Sequence, residues 1–322
     1  IVLAIVLSGC DSCDNFKSLT GPSGGNPNEK SQVWFTPNIE SRDMLKLFSE
    51  PTQWLQAQKR VNVFQFYIQQ TLDGCQDCGN NILANLIKVS AFSWLDANNI
   101  NIGLEAGTIK DWNCGREPTD AVSIALQAIE NIAREGGRVS YIAMDEPFVS
   151  TKEWCKQPVT VASDHVAYYI KELNKRYPSV AIGLIEPYPF FSAQEIKNFI
   201  SNLESRGVKL PFFHLDMHRE GALANNDINK DLRDLESFCR DRGISFGVII
   251  WGDNGSSNQD YFNGAMFTAQ TVRAAIGAPD HLIFQSWSET ATGSRIFPDN
   301  LPEDSPMTLT WIVNQITSYF GI

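Results

Sequence analysis

The chain has 322 residues, 43% of them apolar and 20% charged, with a formal charge of -11. That length suits one large domain or two small ones and allows a sizeable core. The acidic balance excludes nucleic acid and anionic membrane faces as partners, because both need clustered Lys and Arg, and leaves a neutral ligand as the better match.

The first ten residues, IVLAIVLSGC, form an apolar run too short to cross a bilayer as a helix. Leu7-Ser8-Gly9-Cys10 resembles the bacterial lipobox. The resemblance implies cleavage before Cys10 and a lipid on that cysteine, hence an exported bacterial lipoprotein of the periplasm or cell surface that meets the membrane only through its anchor. Residues 11–32 are rich in Gly, Pro, Ser, Asn and Asp and read as a flexible tether.

From residue 33 onward one alternation repeats. Strands are predicted over 33–38, 61–69, 99–107, 139–147, 181–188, 211–218, 245–253 and 281–289. Helices are predicted over 44–60, 82–97, 121–134, 161–177, 193–206, 228–241, 269–276 and 309–320. Strict alternation predicts a parallel sheet, and eight repeats predict closure into a single (β/α)8 TIM barrel over 33–322. A dinucleotide fold would need a glycine-rich turn after the first strand, where this chain has FTPNIESRD. The run DNGSS at 253–257 lacks the lysine of a phosphate-cradling loop, so no cofactor is expected, and the chain is read as a monomer.

Cys75, Cys78, Cys114 and Cys155 fall after the second, third and fourth strands. Disulfides Cys75–Cys78 and Cys114–Cys155 would staple those loops in an oxidising compartment, with a zinc site from the same thiolates as the alternative. Cys239, inside a helical pattern, reads as a buried thiol.

The fourth strand, RVSYIAMDEPF over 138–148, runs apolar and then ends in Asp145, Glu146 and Pro147. Other strands also finish on polar side chains of one parity, which point into the lumen together. The second carries Gln65, Tyr67 and Gln69, and the third Asn101, Gly103 and Glu105, with Ile100, Ile102 and Leu104 toward the helices. The sixth carries His214, Asp216 and His218, the seventh Trp251 and Asp253, and the eighth Gln285, Trp287 and Glu289. Glu186-Pro187-Tyr188 closes the fifth as Asp145-Glu146-Pro147 closes the fourth.

Carboxylates mixed with Trp, Tyr, Gln and Asn suit a carbohydrate: rings stack on the apolar faces of a pyranose, polar groups bond its hydroxyls, and a carboxyl pair cleaves the glycosidic bond. Trp34, Trp112, Trp154, Trp251 and Trp287 all fall in or after strand ends, although some would simply plug the barrel mouth. Long segments over 108–119, 149–160 and 254–267 could wall an extended groove.

The eight-unit order with Asp-Glu-Pro on the fourth strand resembles the TIM-barrel glycoside hydrolases of clan A, in which the acid/base glutamate stands in an Asn-Glu-Pro. That match implies Glu146 as general acid/base. The chain departs from it at Asp145, and on the seventh strand, where IIWGD offers only Asp253. The consecutive Asp-Glu is similar to the hexosaminidase-type barrels, which implies that Asp145 orients a substrate acetamido group as the internal nucleophile. A third course is inversion, with Glu146 as acid and Asp216, Asp253 or Glu105 activating water. Burial beside Met144 and the charge of Asp145 are expected to keep Glu146 protonated. Two readings of other kinds stay open: a metal-dependent hydrolase with His214, Asp216 and His218 as ligands, and a surface carbohydrate-binding lipoprotein without catalysis.

Overall fold

Short runs rich in Val, Ile and Phe, bounded by polar turns, form eight parallel strands: β1 (Gln32–Thr36), β2 (Val63–Tyr67), β3 (Asn101–Ala106), β4 (Val139–Asp145), β5 (Ala181–Tyr188), β6 (Phe212–Met217), β7 (Ser245–Ile250) and β8 (His281–Gln285). A computed structural model describes residues 31–107, 114, 117–224, 227–252, 256–287 and 297–322, without the side chains of 219 and 220. The strands pair in chain order into a closed barrel, and β1 meets β8 from Gln32↔His281 to Thr36↔Gln285. The fold is therefore the expected (β/α)8 barrel.

Alternate residues divide the strands between two cores. Outward residues such as Phe64, Leu104, Ile142, Leu184 and Val248 pack under the helices. Inward, Trp34, Val63, Ala143, Ile185, Phe212, Ile249 and Ile283 fill the lumen. Gly183 makes room for this filling: a Cβ there would lie 2.3 Å from the Phe212 ring. Trp34 plugs the barrel, its Nε1 donating to Gln32 Oε1 at 2.8 Å, while Gln32 Nε2 donates to Tyr141 Oη at 3.0 Å.

Three helical predictions change in detail. The segment 44–60 breaks at Pro51 into Lys46–Ser49, a 3-10 turn Pro51–Trp54 and Leu55–Gln58. The segment 82–97 divides into Leu83–Lys88 and Ala91–Ala97 at Ser90, which has φ 55°. The helix predicted at 269–276 starts much earlier, at Asn258, with the Ser257 hydroxyl accepting the Asp260 N–H. This corrects the long rim loop expected over 254–267, most of which is helix. Gly252 and Gly264 let that helix sit against the exit of β7, since a Cβ on Gly264 would stand 2.5 Å from the Gly252 carbonyl oxygen.

Both expected disulfides are present, Cys75–Cys78 and Cys114–Cys155, and the free Cys239 is buried. Burial pushes the Cys239 thiol up to about 12, so it stays protonated and inert. Cys10 and the tether lie outside the described residues. Among the described residues, no helix is long and apolar enough to cross a membrane.

At the lower end of the lumen His214 Nε2 and His281 Nδ1 share a hydrogen bond of 2.9 Å, and Trp34 stands edge-on to His214. Burial holds His281 down at about 4 and His214 well below its usual value, so both are neutral when folded. Unfolded imidazoles take up protons near 6.5, so the contribution is complete above that pH and drains away as pH falls toward 4. At about 1.4 kcal/mol per pH unit, His281 alone accounts for about 3 kcal/mol. Urea unfolding at pH 7 and pH 4.5 should show this acid loss in wild type and a markedly smaller loss in His281→Gln. Equal losses in the two proteins would show that the pair does not carry the pH dependence.

Candidate active site

The strand exits of β1 to β8 surround a cleft of about 400 Å³ at the C-terminal face of the barrel. Its polar lining includes Asn38, Tyr67, Gln69, Asp77, Glu105, Asp145, Glu146, Asp216 and Gln285, and Trp287, Ile39, Ile185 and Ile249 supply apolar surface. Eight of the candidates, Tyr67, Gln69, Glu105, Asp145, Glu146, Asp216, Gln285 and Trp287, thus come from the ends of five different strands to one place.

Glu105 is held by two side-chain amides. It is 7% exposed, and its Oε2 accepts Gln65 Nε2 at 2.9 Å and Gln285 Nε2 at 2.7 Å. Two amide donors on one oxygen suit an ionised carboxylate. Gln285 Nε2 also lies 3.3 Å from Tyr67 Oη. Burial, followed by the Glu105 charge, raises Tyr67 well above its usual value, so its hydroxyl remains a neutral donor. Gln65 sits beneath the cleft, fully buried, and acts through Glu105.

Glu146 follows the last residue of β4 and adopts φ 46°, ψ 48°, a left-handed conformation that a non-glycine residue adopts at a cost of about 1–3 kcal/mol. Its N–H donates to the Ile185 carbonyl at 3.2 Å and its carbonyl accepts the Ser150 N–H at 3.2 Å. Pro147 then starts a short helix, Pro147–Val149, that runs into the π-helical turn Ser150–Trp154. The sharp turn brings Asp145 and Glu146 into the same cleft although they are consecutive. Lys152 secures the turn, with its Nζ 2.7 Å from Glu195 Oε1 and 4.8 Å above the Phe191 ring.

The structure corrects three candidates. Glu186 and Tyr188 share the outward parity of Ile182 and Leu184 and do not line the cleft. Tyr188 is buried, its hydroxyl donating to Asp231 Oδ2 at 2.8 Å. Glu186 is fully buried behind β4, where its Oε1 accepts the Phe148 N–H at 2.8 Å. Burial raises Glu186 well above the usual carboxyl range, and the nearby charges of Glu146 and Asp145 push the same way. His214 points inward, but its bond to His281 places it in the floor instead of the cleft. The ligand triplet His214, Asp216, His218 is therefore not assembled. Among the described residues, no group of three His, Cys, Asp or Glu side chains could hold a metal ion.

His218 follows the end of β6, 6.3 Å from the Trp251 ring, and its Nδ1 accepts the Gly221 N–H. Trp251 is 6% exposed and stacks under Trp287, with centroids 4.6 Å apart and planes 17° apart. The pair offers Trp287 as a rigid face to the cleft. Trp112, Asp253 and Glu289 lie outside the described residues. Asn38 and Asp77 also line the cleft without having been singled out: Asn38 closes the predicted first strand, and Asp77 sits on a loop. A signal existed for Asp77, which stands between the cysteines of a C-x-x-C loop.

No family model matches the sequence, and no curated protein matches it. Among solved structures, the chain is similar to a glucosidase from Croceicoccus marinus, with 14% identity and a TM-score of 0.56 over 92% of this chain and 70% of that one. It is also similar to xylanase 10B from Thermotoga maritima, with 12% identity and a TM-score of 0.53 over 90% and 94%. At such identities the likeness concerns the barrel fold.

Glu186 explains how the turn under Glu146 persists. Replacing it by Leu strands the buried Phe148 N–H and should cost about 1–3 kcal/mol, whereas Gln keeps an acceptor and should cost less than about 1 kcal/mol. Urea midpoints of the two variants test this; equal losses would mean that Glu186 does not hold the turn.

Proposed function

We propose that the protein is a glycoside hydrolase in which Glu146 protonates the leaving oxygen of a glycosidic bond. The observation that carries this reading is the convergence of Glu146 with Asp145, Glu105 and Asp216 in one cleft faced by the Trp287 ring. Hydrolysis of a glycoside needs one carboxyl that keeps its proton and another that stays charged. Crowding among carboxylates favours a proton on one of them, and Glu146 is the one on a strained, well-supported turn. Glu105, held by two amides, supplies a fixed negative charge beside the bond to be broken. Asp216, from β6, is the candidate to activate water, and Asp145 the candidate to orient the sugar.

Trp287 on its Trp251 backing provides a flat apolar surface for one face of a pyranose, and Asn38, Gln69 and Tyr67 provide hydroxyl partners. In this reading the chain works outside the cytoplasm, tethered by a lipid at Cys10. The two disulfides, both on rim loops, support an oxidising compartment.

Glu146→Gln keeps the shape of the side chain and removes its proton. Turnover on a panel of polysaccharides should fall by about 10²–10⁴-fold while binding of the cleaved polymer persists. A variant that keeps wild-type turnover would remove Glu146 from the chemistry. Binding with no turnover in wild type on any polymer would favour the non-catalytic carbohydrate-binding reading.

A further inference from the structure

The wall of the cleft between β8 and β2 carries hydrogen-bond donors whose direction is already set, and Asn38 is the clearest of them. Asn38 lines the cleft and is 2% exposed. Its Oδ1 accepts the Glu40 N–H at 2.8 Å, while its own N–H donates to Ser286 Oγ at 2.8 Å. Reversing the side-chain amide would set Nδ2 against the Glu40 N–H, donor against donor, so the orientation is fixed. Among the described residues, Nδ2 has no hydrogen-bond partner, and unlike the sealed Oε1 of Gln285 it keeps accessible surface. A side chain buried almost completely thus ends in two N–H groups that open on the cleft.

Strand pairing says what Asn38 stands beside. β1 meets β2 at Trp34↔Val63 and β8 at Thr36↔Gln285. Carried onward, these registers set Asn38 level with Tyr67 on one side and Trp287 on the other, and all three line the cleft. Tyr67 Oη accepts Gln285 Nε2 at 3.3 Å and, among the described residues, gives its own hydrogen to none. The neutral state of Tyr67 keeps that hydrogen in place.

One sugar can therefore lay its apolar face on Trp287 and turn an edge toward Asn38 and Tyr67. That edge must bring lone pairs, because the wall offers only hydrogens. Hydroxyl and ring oxygens have lone pairs to give, whereas an ammonium group has none. A carboxylate has them too, but the formal charge of -11 sets the chain against a polyanion.

Resting on the hydrolase reading above, we propose that Asn38 is the specificity-determining residue of a subsite on Trp287, and that this subsite takes a sugar of a neutral glycan through donors from Asn38 Nδ2 and Tyr67 Oη. Aminated and uronate glycans are poor ligands of the same subsite.

Binding is read in the Glu146→Gln background, so that cleavage does not consume the ligand. Oligomers of neutral glucan, xylan, mannan and galactan, of glucosamine and of galacturonate are titrated by calorimetry. At least one neutral oligomer should bind about tenfold tighter than both charged ones, since an N–H left without an acceptor is costly. Asn38→Ser keeps an oxygen for the Glu40 N–H but falls short of the ligand, and should weaken that neutral oligomer about threefold to tenfold. Tyr67→Phe keeps the ring, removes the hydrogen and should weaken it to a similar degree, which decides the matter if Asn38→Ser does not fold. Combined with Trp287→Ala, the loss from Asn38→Ser should be clearly less than additive, because both groups grip one sugar. Charged oligomers that bind as well as neutral ones, no binding of any neutral oligomer, undiminished binding in Asn38→Ser and Tyr67→Phe, or additive losses with Trp287→Ala would overturn the proposal. A neutral oligomer that binds in this manner but is left uncleaved by wild type would sustain the subsite and overturn the hydrolase reading alone.

Discussion

The site depends on one constraint, the alternation of side chains along strands that are closed into a ring. Once β1 pairs with β8, no inward residue can turn elsewhere, and the last inward position of each strand is delivered to a common mouth. Glu105, Asp145, Asp216 and Gln285 owe their convergence to that geometry. The same constraint fills the lumen below them with Trp34, Phe212 and the imidazole pair, so the cleft has a dense floor. A dense floor excludes water from beneath the acids and makes their charges count for more.

Glu146 departs from this alternation. Following Asp145 directly, it would point outward if β4 continued, and only the left-handed turn at φ 46° returns it to the cleft. The turn is sustained from behind by Glu186, from below by the Ile185 carbonyl and from the side by Lys152 on Phe191 and Glu195. A strained residue supported by neighbours that do not themselves enter the cleft is where a local sequence rule is set aside for chemistry.

The barrel was legible because strand and helix periods differ and alternate cleanly, and the inward and outward assignments on β3 follow from Asn101, Gly103 and Glu105 opposing Ile102 and Leu104. β5 defeated the same logic. Its run AIGLIEPY is buried on both sides, so hydrophobicity carries no parity, and Glu186 reads as a strand-end acid of the cleft although it lies in the outer core. The helix Asn258–Ile276 was read short because Gly264 interrupts a helical pattern, yet Gly264 is there for close approach to Gly252. Asp77 sits on a loop, where no period exists to assign a direction. The cysteines, by contrast, pointed to both disulfides through their places after neighbouring strands, ahead of a zinc site from the same thiolates.

The Cys114–Cys155 bridge has a mechanical consequence. It spans 41 residues and joins the segment leaving β3 to the turn leaving β4. Those two strands carry Glu105 and Glu146, so the bridge turns two independent supports into one frame. Thermal drift of either support then displaces both acids together, and their mutual spacing is buffered against the motions that loosen a barrel rim.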